Sequence, residues 1–100
     1  MPGFTRQITH TLTQEDAVGR LKGFVTGVEQ KYGDLASEVS GEWAENMLHF
    51  KVVAMGFRIQ GKLLVEAFIA NIEVQYPFTA ALFAGRIEET ITRELKQALA

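Results

Sequence analysis

Residues 47–55 have the sequence MLHFKVVAM, in which one side of an extended chain would be wholly apolar. That side carries Leu48, Phe50, Val52 and Ala54. An alternation with period two predicts a β-strand that buries one face. Gly56 predicts a turn into a second strand, whose inward positions hold Phe57, Ile59 and Leu63. Gly61 inside this second strand indicates a bulge or a close approach of backbone.

The same period continues on both sides of this hairpin. A further strand follows, with inward residues Phe68, Ala70, Ile72, Val74 and Tyr76. Before the hairpin, Val39 and Trp43 share one side of a strand, and residues 44–46 are typical of a turn. Residues 4–12 also alternate, with an apolar side made of Phe4, Ile8 and Leu12. The alternation therefore predicts four to five strands.

Two other segments have helical spacing. Thr13 is a suitable N-cap, and Gly33 is a suitable stop, so we expect the first helix over about residues 14–32. Pro77 suits the first turn of a second helix. The apolar stripe of this second helix is Phe83, Ile87, Ile91, Leu95 and Ala98.

Short connections between the strands predict an α+β fold: an antiparallel sheet with both helices packed on one face. The element order is β-α-β-β-β-(β)-α, and residues 1–100 form a single domain. The predicted core consists of Leu21, Phe24, Val28, Phe50, Val52, Ile59, Ile72, Val74, Ile87, Ile91 and Leu95.

Composition narrows the possible functions. The net charge is −2 with no basic tail, which argues against nucleic-acid binding, because that binding relies on Lys and Arg at phosphates. The chain has no cysteine, so disulfides and cysteine-bound zinc are excluded. The N-terminus lacks the apolar region of a signal peptide, and no segment is apolar enough to span a membrane. This composition fits a cytoplasmic protein, although many exported bacterial proteins also lack cysteine.

The residues that could carry chemistry are scattered. His10 and His49 lie on different strands, without the spacing of a metal site. No nucleophile–base pair, phosphate loop or dinucleotide fingerprint occurs. We therefore predict no enzymatic activity, no catalytic residue, no metal and no cofactor.

The outward positions of the central strands are unusually apolar for a face that meets only water. The candidate contact surface consists of Met47, His49, Val53, Met55 and Ile69. Lys51, Arg58 and Gln60 share the same face. The alternative is that these are scattered exposed apolar residues, which are common on soluble proteins.

Three glycines recur every four residues within the first predicted helix: Gly19, Gly23 and Gly27. Each destabilises a helix relative to alanine, so the stripe marks either a helix contact or a tolerated weakness. We expect a weak homodimer that forms through the sheet face or a strand edge in preference to this stripe.

The segment WAENMLHF, residues 43–50, resembles the W-x-x-[ND]-x-L-x-F pattern of the polyhydroxyalkanoic acid system family. The similarity continues through residues 56–61 and 72–77 into the C-terminal helix. Glycine-rich residues 14–32 depart from the more charged first helix of that family. The resemblance implies a cytoplasmic accessory or regulatory protein that contacts polyester granules or their coat proteins, and it transfers no catalytic residues.

Two other functions stay open. Phe24, Phe50, Phe68 and Phe83 could line a pocket for an acyl ligand in a small carrier or enzyme. The order of elements is also that of a double-stranded-RNA-binding module, although residues 78–82 lack the basic side chains such a module needs.

Overall fold

The computed structural model describes residues 2–34 and 36–100. Along these residues the structure has five strands, three α-helices and one 3₁₀ helix. In order they are β1 (Gly3–Thr9), α1 (Gln14–Leu21), α2 (Phe24–Tyr32), β2 (Ala36–Ala44), β3 (Met47–Ala54), β4 (Phe57–Glu66), β5 (Ile69–Gln75), the 3₁₀ helix (Phe78–Phe83) and α3 (Ala84–Leu99). The strands form one antiparallel sheet in the order β1-β5-β4-β3-β2. The predicted α+β class is confirmed.

Side chains alternate across the sheet as the sequence predicts. The helix-facing side carries Leu48 on β3, Leu63 on β4 and Ile72 on β5, and all three are buried. Leu48 and Leu63 are directly opposite each other, as are Leu63 and Ile72. These cross-strand pairs place the centre of the core under β4, where α1 also packs.

Of the predicted core, Leu21, Ile59, Ile72, Val74 and Leu95 are buried. The remaining six are half-buried: Phe24, Val28, Phe50, Val52, Ile87 and Ile91. Four of these six lie on α2 or β3, towards the β2 edge of the sheet. Distance from the edge of the sheet, which periodicity does not reveal, therefore separates half-buried from fully buried residues.

The predicted first helix is wrong in one respect, because the chain breaks it at Lys22 and Gly23. Gly23 has φ −88° and ψ −1°, and it is the N-cap of α2. The two halves pack on different strands, α1 against β4 and α2 against the edge strand β2. Thr13 caps α1 as predicted, since its hydroxyl accepts a hydrogen bond of 3.2 Å from the N–H of Asp16.

A polar contact joins α2 to α3. The ammonium of Lys31 and the hydroxyl of Tyr32 both donate to Oε1 of Glu94, at 2.7 and 2.8 Å. The hydrogen bond from Lys31 lowers the pKa of the Glu94 carboxyl and raises the pKa of Lys31. The depressed pKa of Glu94 means that its contribution to stability is present at neutral pH and is lost as acid protonates the carboxyl.

The strand ends also differ from the prediction. β1 ends at Thr9, and the chain from His10 to Leu12 instead bonds the β4–β5 turn, where His10 N–H donates to Phe68 C=O at 2.9 Å. Phe68 was expected to point inward, but it lies in this turn with φ 66° and is 59% exposed.

Among the described residues, no helix combines the length and apolarity that crossing a bilayer requires.

Candidate functional site

The outer face of the sheet, on the side away from the helices, holds four of the five predicted contact residues. His49 is exposed, whereas the three apolar residues are half-buried: Met47, Val53 and Ile69. Strand register places Met47 beside Leu64, and Ile69 opposite Glu66. These residues share a face, but polar side chains separate Val53 from the other two.

The middle of the outer face is a polar row that crosses all five strands: Glu42, His49, Lys62, Glu73 and Thr5. Lys62 Nζ lies 3.7 Å from Glu73 Oε2, and both side chains are largely exposed. Exposed pairs of this kind stabilise a fold by about 0–1 kcal/mol. A shallow concavity of about 730 Å³ covers four members of this row, Glu42, His49, Lys62 and Glu73, and the neighbouring Ser40, Lys51, Gln60 and Gln75. Its charges alternate in sign, so the row has the character of a solvated surface.

Met55, the fifth predicted contact residue, does not belong to the outer face. It lies with Gly56 in the β3–β4 turn, and both have positive φ, 52° and 82°. A two-residue turn of this type has positive φ at both central positions, because its twist then matches that of the strands. The turn places Met55 at the end of the hairpin with 64% of its surface exposed.

Three further large apolar side chains are exposed on the 3₁₀ helix, whose last residue reaches the strand that follows this turn. Phe78 is 81% exposed, Leu82 is 94% exposed and Phe83 is 39% exposed. The ring of Phe83 contacts the ring of Phe57, the first residue after the turn, with centroids 5.8 Å apart. We call Met55, Phe78, Leu82 and Phe83 the apolar end. Large apolar side chains that are exposed together mark sites of contact with proteins or apolar surfaces.

Helical periodicity does not reveal the apolar end, because it predicts Phe83 in the stripe of one continuous helix. A 3₁₀ helix has three residues per turn, so the segment before Ala84 faces differently from an α-helix of the same sequence. Ala80 is the buried residue of this segment. Phe78 and Leu82 lie outside the predicted stripe of the second helix, and this position is the sequence feature that could have indicated their exposure.

Titratable side chains serve structural roles where the structure gives them partners. The N–H of Leu12 donates to Nδ1 of His10 at 3.1 Å, and Nε2 of the same ring lies 3.0 Å from the carbonyl oxygen of Glu66. The ring therefore fastens the β1–α1 loop to the end of β4. Within residues 2–34 and 36–100, no three His, Asp or Glu side chains are grouped as metal ligands.

The three glycines of the predicted stripe now lie in different settings. Gly19 is inside α1, Gly23 lies at the junction and Gly27 is inside α2. A Cβ added at any of them would have no other atom within 4 Å, leaving aside chain neighbours and the local helix backbone. Within the monomer, therefore, none of the three is a point of close approach.

Replacing Gly27 by alanine is expected to raise the free energy of unfolding by about 0.5–1 kcal/mol, because alanine loses less backbone entropy in a helix. Urea unfolding of the two proteins measures the change. Gly23→Ala is the matched comparison. Because glycine is preferred over alanine at an N-cap, this substitution should raise the free energy of unfolding by less than Gly27→Ala does. If Gly27 instead contacts a second copy, Gly27→Ala should weaken self-association in sedimentation, and the stripe would then be an interface.

Comparison with known proteins gives one result that bears on function. A search of curated proteins finds no match to the chain. A protein-family model described as "Putative polyhydroxyalkanoic acid system protein" matches residues 6–99, from β1 to the end of α3. Because that match spans nearly the whole sequence, this chain belongs to the polyhydroxyalkanoic acid system family.

Proposed function

We propose that the protein is a non-enzymatic, cytoplasmic accessory protein that attaches to polyhydroxyalkanoate granules through its apolar end. The family links the chain to the polyhydroxyalkanoate system. The observation that carries the proposal is the exposure of Phe78 and Leu82, at 81% and 94%. Side chains of this size are stabilised by about 1.5–3 kcal/mol each when they leave water for an apolar environment. A polyester surface provides that environment.

The apolar end suits a granule better than the outer sheet face does. Met47, Val53 and Ile69 are already half-buried by their neighbours, so they have less apolar area left to bury. The polar row between them would also lose its hydration on a polyester surface, at a cost in free energy. Met55 is common to the two proposed surfaces, and its position in the turn assigns it to the apolar end.

The acyl-ligand alternative has less support. Phe68 lies in the β4–β5 turn and Phe83 contacts Phe57 at the beginning of β4, so the two phenylalanines are at opposite ends of that strand. The ring of Phe50 is close to Gly61 instead of facing a cavity with them. The RNA-binding alternative lacks basic residues on the 3₁₀ helix, where Phe78–Phe83 has the sequence FTAALF.

Substituting Phe78 and Leu82 together by serine is expected to lower affinity for polyester particles by at least about tenfold, since the pair removes several kcal/mol of apolar contact. The fold should remain within about 0.5 kcal/mol of the original stability, because both side chains are exposed. Co-sedimentation with protein-free polyhydroxyalkanoate particles measures binding, with silica particles of equal size as the polar control.

The matched control replaces Met47 and Val53 by threonine, which makes an equal number of apolar-to-polar changes on the outer sheet face. This variant should bind the particles as the original protein does. Loss of binding in the control alone would move the contact to the outer face. Binding to isolated granules but not to protein-free particles would identify a granule-coat protein as the partner. If the original protein binds neither, granule attachment is wrong.

A further inference from the structure

The two edges of the sheet differ in how far they are protected from pairing with another strand. At the β1 edge, Pro2 precedes the strand, and Arg6 points towards the helices, where its Nε donates to Glu88 Oε1 at 2.8 Å. Proline and inward-pointing charge are two devices that keep an edge from pairing. The β2 edge, Ala36–Ala44, has nine residues with neither proline nor an inward charge.

The backbone groups that β2 directs away from β3 follow from the hairpin register. Ala44 and Met47 close a two-residue turn, and such closing residues exchange hydrogen bonds. Bonded and non-bonded pairs then alternate along antiparallel strands. Counting back from Ala44, the residues with outward N–H and C=O groups are Trp43, Gly41 and Val39. In the part of the chain described by the structure, no turn, loop or helix provides these groups with a backbone partner.

We propose that the β2 edge pairs with the β2 edge of a second copy of this chain. The two strands run antiparallel about a two-fold axis at Gly41, and two five-stranded sheets become one continuous sheet. An interface of this kind is isologous, which is the commonest form of homodimer. Gly41 faces the partner's Gly41, and Val39 faces the partner's Trp43.

The charges of β2 select this register. Glu42 faces the partner's Ser40, and Glu38 faces the partner's Ala44, so no two carboxylates are opposed. An axis at Ser40 would set Glu38 opposite the partner's Glu42. An axis at Glu42 would set the two copies of Glu42 opposite each other. Like charges directly opposite destabilise a strand pair. A longer slip towards the N-terminus runs into the bulge between Ala36 and Glu38.

The proposed axis also sets how the two α2 helices lie relative to each other. A Cβ built on Gly41 would lie 2.5 Å from Cγ2 of Val25, so the beginning of α2 stands above Gly41. From there α2 runs back towards Ala36, where β2 begins. The two-fold axis therefore directs the two α2 helices away from each other, and they approach only at their first turns.

Ser40 provides the test, because it is exposed on the outer face and lies opposite Lys51 within the monomer. Ser40→Glu gains a favourable neighbour in the monomer but sets a carboxylate opposite the partner's Glu42. The pair occurs twice in the dimer, so the dissociation constant measured by sedimentation equilibrium should rise about two- to thirtyfold. Ser40→Lys should lower it. If the axis were at Ser40 instead, Ser40→Lys would oppose two lysines and weaken the dimer.

Amide hydrogen exchange at low and high protein concentration locates the interface. We expect the amides of Val39, Gly41 and Trp43 to gain protection as the dimer forms, while those of Glu38, Ser40 and Glu42 are already protected by β3. A protein that stays monomeric at millimolar concentration, or a dimer in which the three amides exchange freely, would overturn the proposal.

The dimer has one consequence that rests on the proposed function. Ala36 is opposite Ala54, next to the β3–β4 turn, so the apolar end lies at the N-terminal end of β2. Antiparallel pairing then points the two apolar ends in opposite directions, and one dimer can join two polyester particles.

The original protein should raise the turbidity of a suspension of the particles, and Ser40→Glu should raise it less. Sedimentation tests the dimer without particles, so failure of granule binding is distinguishable from failure of the dimer.

Discussion

Replacing Ile72 by alanine is expected to lower the free energy of unfolding by about 2–5 kcal/mol. Ile72 is 2% exposed and lies on β5, with β1 on one side and β4 on the other. Its cross-strand neighbour Leu63 is fully buried, so the removed atoms would leave a cavity in the core. Urea denaturation monitored by circular dichroism measures the loss.

Ile69→Ala is a matched control, since it makes the same change on the same strand but on the outer face. Ile69 is half-buried and close to the β4–β5 turn, so its loss should be less than half of that at Ile72. Equal losses at the two positions would contradict an uncovered outer face. In that case a second layer, such as another molecule, must cover the sheet.

Gly61→Ala is expected to destabilise the protein by about 1–3 kcal/mol, the range for overpacking a filled core. A Cβ at this position would meet the carbonyl oxygen of Glu73 and would lie 2.6 Å from Cζ of Phe50. Either contact forces a shift, and the first involves backbone of the neighbouring strand β5. Gly27→Ala is the opposite case on the same chain, because its added methyl group meets open space.

A double-mutant cycle with Phe50→Leu separates the two contacts of Gly61. Removing the ring relieves the side-chain contact but leaves the carbonyl of Glu73 in place. We therefore expect Phe50→Leu to reduce the destabilisation by Gly61→Ala without abolishing it. If Gly61→Ala alone has no measurable effect on the unfolding midpoint, the close packing of Phe50 on β4 is wrong.

Periodicity alone was sufficient for the central hairpin of the sheet. The period-two alternation over residues 47–63 predicts both strands of the central hairpin and the face that each side chain takes, and Leu48, Ile59 and Leu63 are buried as expected. Of the two alternatives predicted at Gly61, a bulge or a close approach, the close approach is present, against Phe50 and Glu73. These features depend on neighbouring residues in the chain, which is why local patterns reveal them.

The contact surface required more than local pattern. An outward phase identifies the face of a strand, and it correctly placed Met47, His49, Val53 and Ile69. It could not show that Met55 belongs to a turn with positive φ, because the alternation continues through that position. Nor could it show how far neighbouring side chains already cover Met47 and Val53.

Local sequence patterns were enough to predict the α+β class, the antiparallel strands and the cap at Thr13. Each of these depends on short-range chemistry: alternation, capping and turn preference. Similarity along residues 6–99 was enough to identify the family. Three features required the folded chain: the break in the first helix, the exposed face of residues 78–83 and the open edge of the sheet. These depend on which strands lie at the edges of the sheet and on how α1, α2 and α3 share one face. Such long-range arrangements are set by packing between segments that are distant in sequence.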